Sequence, residues 1–98
     1  MERPPTTIDG ARVLAVAYIT SAVAARGTTI HRVNGEEVGP FAALAIAQYE
    51  EDEDVYLLYC DDQWNVITEV CRDSVDAAKG TAAFEYDGIN VCWHDPDG

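Results

Sequence analysis

The sequence predicts an α+β fold, in which an N-terminal helix and a second helix, over about residues 75–86, pack on one face of a small antiparallel sheet. Two short aromatic and β-branched runs flank an acidic turn, an apolar stretch precedes them, and an alanine-rich stretch behind a helix cap follows them. With 98 residues, of which 48% are hydrophobic, the chain has the size of one domain. We therefore expect a single domain over residues 1–98.

The first predicted helix lies in residues 9–27, DGARVLAVAYITSAVAARG. The stretch opens with an acid at a possible N-cap, has no internal breaker and ends at a glycine, which together are typical of a helix. Several of its residues, such as Val13 and Val16, are β-branched, so a strand over residues 11–20 is the alternative. Residues 1–8, which include a Pro-Pro pair, are expected to be a frayed lead-in.

Residues 28–38, TTIHRVNGEEV, are typical of a β-hairpin. Asn34 and Gly35 can adopt the two positive φ angles that a type I′ turn requires. This register places Arg32 opposite Glu37 and His31 opposite Val38. No serine, cysteine or carboxylate stands at a recognised catalytic spacing from His31, so we assign that histidine a structural role.

Residues 39–49, GPFAALAIAQY, carry conflicting signals. Pro40 and the many alanines favour a helix, whereas small and larger residues alternate as they would on the two faces of a strand. We predict a strand. Residues 55–60 and 64–71 are clearer strands, because they are short, aromatic and β-branched, and the turn 61–63 joins them into a hairpin.

The second helix is predicted from about residue 75 to residue 86, behind an N-cap at Ser74. Val75, Ala78, Ala82 and either Phe84 or Tyr86 are expected to face the sheet. An Asp-Gly pair ends the helix. A last short strand is predicted over residues 89–93, before a polar tail over residues 94–98.

The charge of the chain is concentrated in its second half. The formal net charge is −12; residues 1–49 hold four acids and four bases, whereas residues 50–98 hold fourteen acids and two bases. Such a surface repels nucleic acid and anionic lipid and attracts basic partners. A solvated acidic surface that serves only solubility is the alternative explanation.

Two acidic clusters flank the strand at residues 55–60, and they are expected about 20 Å apart, one at each end of the strand. The five consecutive acids EEDED lack the alternating spacing and the glycine of a calcium loop. We interpret the clusters, with two neighbouring aromatic anchors, as candidate partner-binding residues: Glu50, Glu51, Asp52, Glu53, Asp54, Asp61, Asp62, Trp64 and Tyr56.

Cysteine usage predicts neither disulfides nor a metal site. Cys60, Cys71 and Cys92 are odd in number and match no disulfide framework, which fits reduced thiols in the cytoplasm. Together with His94 they supply four possible zinc ligands, but the spacing of a zinc site is missing. Acidic surroundings raise a thiol pKa, which disfavours a cysteine nucleophile. We expect no enzyme activity, no cofactor, no secretion signal and no membrane span.

Residues 54–88, DVYLLYCDDQWNVITEVCRDSVDAAKGTAAFEYDG, resemble a pattern found in small uncharacterised bacterial proteins. In that pattern an aromatic strand, an acidic turn, a Trp-Asn strand and a capped helix ending in Phe-Glu-Tyr follow one another. A histidine often precedes the helix cap there, and Arg72 stands at that position here. In length and acidity the whole chain is similar in type to acidic bacterial immunity and inhibitor proteins.

The function that these features favour is an acidic binding or inhibitor protein that docks on a basic partner protein. Such a partner would be a nuclease toxin, for which this chain would be the immunity protein, or a nucleic-acid-binding protein, for which it would mimic nucleic acid. The alternatives are a small-molecule-binding or catalytic α+β domain and a homodimeric accessory protein that pairs through a sheet edge.

Overall fold

The computed structural model describes residues 2–27 and 29–97, and most of its regular structure is β-sheet. The elements follow one another as β1 (Thr7–Ile8), β2 (Ala11–Tyr18), β3 (Ala24–Ala25), β4 (His31–Val33), β5 (Glu36–Val38), β6 (Ala43–Gln48), β7 (Val55–Cys60), β8 (Val66–Arg72), α1 (Val75–Glu85), β9 (Tyr86–Asp87) and a 3₁₀ turn (Ile89–Val91). None of the described helices is long and apolar enough to cross a membrane.

Five strands form one curled antiparallel sheet in the order β1-β2-β6-β7-β8. Two irregularities in register, one within β2 and one near the end of β7, interrupt the ladders. Such bulges increase the local twist of a sheet. Two small two-stranded pairs, β4-β5 and β3-β9, lie outside this sheet.

Both faces of the main sheet are buried along its central strands β6 and β7, whereas alternate residues of the edge strand β8 are exposed. On one face, Leu44, Ile46, Leu57 and Tyr59 pack with α1 and the 3₁₀ turn. On the other face a second apolar cluster forms around three alanines of β6 and the side chains of neighbouring segments, namely Ile8, Ala11, Val13, Val16, Ala43, Ala45, Ala47, Leu58, Cys60 and Trp64. The central strands of the sheet therefore form the core of the molecule.

The prediction of a helix in residues 9–27 is wrong, because Ala11–Tyr18 forms strand β2. This strand pairs with β1 on one side and β6 on the other, and five of its eight residues are buried, on one face or the other. A strand covered on both faces reads as a continuous apolar run without alternation. The β-branched valines indicated the correct structure, and the described residues form one α-helix instead of the two expected.

The second helix is confirmed as α1. The side chain of Ser74 accepts a 3.0 Å hydrogen bond from the backbone N–H of Ala77, as an N-cap does. After the helix, Gly88 has φ 87°, and a Cβ there would lie 2.8 Å from the carbonyl oxygen of Ala22. This close approach requires glycine. The strand predicted at residues 89–93 is wrong, since Ile89–Val91 is a 3₁₀ turn.

The remaining strand predictions are confirmed, except that residues 64 and 65 of the predicted strand 64–71 lie outside β8. In the β4-β5 hairpin His31 pairs with Val38 and Arg32 with Glu37, and both turn residues have positive φ, 54° at Asn34 and 81° at Gly35. Residue 28 of the predicted hairpin lies outside the described residues. The central hairpin forms as β7 and β8, and the uncertain stretch 39–49 contains strand β6.

The two ends of the described chain are more ordered than the sequence suggested. Thr7 and Ile8 of the expected lead-in form strand β1. His94, at the start of the expected tail, exchanges backbone hydrogen bonds of 3.0 Å and 2.9 Å with Val16. Backbone pairing to β2 thus holds both segments on the sheet.

Candidate functional site

The acidic loop Glu50–Asp54 joins β6 to β7, and all five of its residues are exposed. The N–H of Asp52 donates a 3.1 Å hydrogen bond to the carbonyl oxygen of Tyr49, which closes a turn at the start of the loop. The side-chain amide of Gln48 donates a 3.1 Å hydrogen bond to the carbonyl oxygen of Glu53. Both bonds are made by backbone atoms of the loop. The five carboxylates take no part in them and project into solvent.

The negative charge of the acidic loop is not neutralised by the rest of the described chain. Within residues 2–27 and 29–97 the close contacts between a basic side chain and a carboxylate are the ion pair of Arg26 with Asp87 and the contact of His31 with Glu85, and neither includes a loop carboxylate. The thiol of Cys71 lies 3.8 Å from a carboxylate oxygen of Asp54, as a weak hydrogen-bond donor. The loop therefore presents five uncompensated acids on one surface.

Two tyrosines lie beside the acidic loop. The rings of Tyr49 and Tyr56 contact each other edge to face, with centroids 5.6 Å apart. Tyr49 is 37% exposed and Tyr56 is half-buried. Cys71 and then the Asp52 carboxylate raise the pKa of Tyr56. This pair offers apolar contact area next to the charge.

The second acidic cluster, Asp61 and Asp62, lies in the β7-β8 turn, where Asp61 has a structural role. The carboxylate of Asp61 accepts hydrogen bonds from the N–H groups of Gln63 and Asn65, at 2.8 Å and 2.9 Å, and from the Asn65 amide at 3.0 Å. The bonds from Asn65 hold the pKa of Asp61 below its usual range. Asp62 is exposed beside it. Asp61 thus closes its own turn.

Trp64 is part of the core. It is 6% exposed, its indole N–H donates a 2.9 Å hydrogen bond to the carbonyl oxygen of Glu2, and its ring contacts that of Tyr18 with centroids 5.8 Å apart. Its backbone has φ 65°, which is uncommon for a bulky side chain. Trp64 therefore offers no exposed ring to a partner.

The structure does not bring the two acidic clusters together. They lie at opposite ends of β7, whose six residues span about 20 Å at the usual rise of a strand. Of the residues predicted for partner binding, the structure groups Glu50–Asp54 with Tyr56, and it places Asp61, Asp62 and Trp64 at the far end of the sheet.

A third cluster, centred on Glu85, was not predicted from the sequence. Glu85 is 7% exposed, and its carboxylate accepts a 2.9 Å hydrogen bond from the hydroxyl of Tyr59. The Nε2 atom of His31 lies 3.3 Å from its other oxygen. The His31 ring packs against Tyr59 and Phe41, with centroid distances of 4.2 Å and 5.3 Å. Burial first, and then the hydrogen bond to Glu85, raise the pKa of Tyr59.

One signal in the sequence could have found this cluster. Residues 75, 78, 82 and 85 recur at helical spacing, so the face of α1 that buries Ala78 and Ala82 continues to Glu85. The prediction placed Phe84 or Tyr86 against the sheet; Tyr86 is buried in the same cluster as Ala78 and Ala82, whereas Phe84 is 62% exposed. The partners of Glu85 could not be read from spacing, because they lie 26 and 54 residues away along the chain.

The cysteines are unbridged, with Cys60 buried and Cys71 exposed. Across residues 2–27 and 29–97, no group of three metal-ligating side chains is placed to hold an ion. His94, considered with the cysteines as a zinc ligand, stacks on Tyr18, and its Nδ1 atom lies 2.9 Å from the carbonyl oxygen of Asp95.

Comparison of the chain with protein-family models, with curated proteins and with solved structures finds no match. The resemblance of residues 54–88 to a bacterial pattern thus stays a prediction, and the case for a function depends on the geometry of the chain itself.

Proposed function

We propose that this chain is an acidic binding protein that inhibits a basic partner protein by docking on its cationic surface. The partner class is a nuclease toxin or another nucleic-acid-binding protein, whose cleft is shaped for polyanions. The observation that carries the proposal is the acidic loop Glu50–Asp54, which presents five consecutive carboxylates, none in an ion pair with another described residue.

The charge balance of the chain supports binding to a basic partner. All twelve net negative charges belong to residues 50–98. Within the described residues, neither base of that half forms an ion pair: Arg72 donates to the hydroxyl of Thr81, and the ammonium of Lys79 lies 6.0 Å from the ring centre of Trp93. A field of one sign accelerates the encounter with a partner of the opposite sign. A partner in the form of nucleic acid is disfavoured by the same field.

Apolar contact beside the charge supplies the affinity that exposed carboxylates alone do not provide. Exposed ion pairs contribute little free energy, whereas aromatic anchors commonly dominate an interface. Tyr49 and Tyr56 adjoin the acidic loop and are accessible, so they are the anchors. Trp64 is excluded from this role because it is buried.

The test uses two variants that change the net charge equally. In the loop variant, Glu50, Glu51, Asp52, Glu53 and Asp54 are replaced by Gln or Asn. The control variant neutralises five exposed acids elsewhere: Glu2, Glu36, Glu37, Asp95 and Asp97. Wild type and both variants are immobilised, partners are captured from the native host lysate and identified by mass spectrometry, and association kinetics of the captured protein are measured over a salt series.

The expected partner is a basic protein that the wild type and the control variant retain and the loop variant releases. Its association rate should fall steeply with salt and drop about tenfold or more in the loop variant, because steering acts through charges that salt screens. Equal association rates for the loop and control variants at low salt would show that the loop has no docking role.

A further inference from the structure

An open cleft of about 560 Å³ lies beside the Glu85 cluster, between α1, β8 and the start of the β4-β5 hairpin. Polar and charged side chains line it together with apolar ones. Its lining includes His31, Val70, Arg72, Gly80, Thr81 and Glu85. The acidic loop is not part of this cleft, so a ligand here would be distinct from the proposed docking partner.

The cleft holds two opposite charges that do not pair with each other. Arg72 and Glu85 both line it, yet the described ion pairs do not include one between them. Arg72 donates from Nε to the hydroxyl of Thr81 and from Nη1 to the carbonyl oxygen of Cys71, each at 2.8 Å. A guanidinium has five N–H donors, so three of them have no partner within the described residues.

Glu85 likewise retains acceptor capacity. Its carboxylate is more than nine-tenths buried and accepts from Tyr59 and interacts with His31, one partner on each oxygen. An ionised carboxylate has about four acceptor positions. A buried carboxylate without a lysine or arginine partner is costly, and a ligand ammonium would compensate it.

From this arrangement we infer that the cleft binds a small zwitterion, a free α-amino acid, with the ligand ammonium on Glu85 and the ligand carboxylate on Arg72. A simple anion would be opposed by Glu85 and by the net charge of −12, and a simple cation by the guanidinium of Arg72. A zwitterion complements both charges and adds no net charge. Arg matches a carboxylate with two parallel N–H donors.

The cleft also has room for the side chain of such a ligand. At Gly80, a Cβ would meet no atom within 4 Å, so the helix leaves open space where it faces the cleft. Val70 below and the exposed ring of Phe84 at the rim provide apolar contact. The volume exceeds that of an amino acid, and it is largely preformed in the free protein, as ligand sites usually are.

The experiment removes one ligand charge at a time. The ¹⁵N-labelled protein is titrated with L-leucine, L-phenylalanine and L-glutamine, and then with two analogues of leucine: 3-methylbutylamine, which lacks the carboxylate, and 4-methylpentanoate, which lacks the ammonium. We expect saturable shifts of the Arg72, Gly80 and Thr81 amides with at least one amino acid. Both analogues of leucine should bind about tenfold or more weakly than leucine itself, because each loses a charge-assisted hydrogen bond.

Two variants test which side chains bind the charged groups of the ligand. Glu85→Gln should weaken amino-acid binding about tenfold and should strengthen 4-methylpentanoate binding, because it removes the charge that opposes an anion. Arg72→Gln should weaken amino-acid binding and should strengthen 3-methylbutylamine binding, because it removes the charge that opposes a cation. Arg12→Gln, at an exposed arginine on β2 that does not line the cleft, is the matched control and should change nothing. Arg72→Gln and the ligand analogues keep the test valid if Glu85→Gln fails to fold.

Three results would overturn the inference. They are the absence of saturable shifts with all three amino acids, an analogue of leucine that binds as tightly as leucine, and shifts that map outside the cleft. Because the acidic loop takes no part in this titration, the result does not depend on whether the proposed docking function holds.

Discussion

The hydroxyl of Tyr59, on β7, donates a 2.9 Å hydrogen bond to the carboxylate of Glu85, the last residue of α1. Tyr59 is fully buried and Glu85 nearly so, which makes this bond a direct link between the sheet and the end of the helix. His31 joins the same carboxylate from the β4-β5 hairpin. Three separate parts of the chain therefore meet at one buried acid.

Removing the donor of this bond should destabilise the fold. In Tyr59→Phe the carboxylate of Glu85 loses one of its two partners while it stays buried, so we expect the free energy of unfolding to fall by about 1–3 kcal/mol. Tyr49→Phe is the control, because Tyr49 is partly exposed, and it should change stability by less than about 0.5 kcal/mol. Urea denaturation measures both. Equal midpoints for Tyr59→Phe and wild type would contradict this role of the bond.

Alkaline pH should unfold the protein through its buried tyrosines. Burial raises the pKa of Tyr86 to about 12 and that of Tyr59 as well, whereas an unfolded tyrosine ionises near pH 10. A raised folded pKa contributes stability that is complete below about pH 10 and is lost as the pH rises towards 12. Phenolate absorbance and circular dichroism, recorded together, should show these two tyrosines ionising only with unfolding. Ionisation of all five tyrosines in a folded chain would disprove this.

The three thiols should differ in reactivity. Burial, followed by the charge of Asp61, raises the pKa of Cys60 to about 12, so its thiolate fraction at pH 8 is only ~10⁻⁴. Cys71 is exposed. With an aromatic disulfide reagent, Cys71 should be labelled quickly and Cys60 only after unfolding, as peptide mass spectrometry can show. Cys71→Ser should remove the fast phase. Rapid labelling of Cys60 in the native protein would contradict its burial.

Truncating Trp64 should unfold the protein or come close to it. The indole fills one face of the sheet and donates to the carbonyl oxygen of Glu2, so Trp64→Ala should cost about 3–5 kcal/mol, a large part of the stability of a small domain. Trp64→Phe keeps an aromatic ring against Tyr18 and should cost less. Thermal denaturation compares the two. A stable Trp64→Ala protein would return Trp64 to the list of surface anchors.

The sequence by itself determined the elements that depend on neighbouring residues. The Asn34-Gly35 turn follows from the positive φ angles that these residues tolerate, and the start of α1 follows from the capping hydroxyl of Ser74. The β7-β8 hairpin follows from two apolar runs separated by an acidic turn. The exposure of Glu50–Asp54 follows from its charge, because five adjacent carboxylates remain hydrated.

Only the tertiary structure decided the rest. Ala11–Tyr18 is a strand because β1 and β6 pair with it and both of its faces are covered, and burial on both faces removes the alternation that marks a strand in sequence. The Glu85 cluster forms where a hairpin, a strand and the end of a helix meet. The two partners of Glu85 lie 26 and 54 residues from it along the chain. Such contacts arise from packing between elements, which local propensity and spacing do not encode.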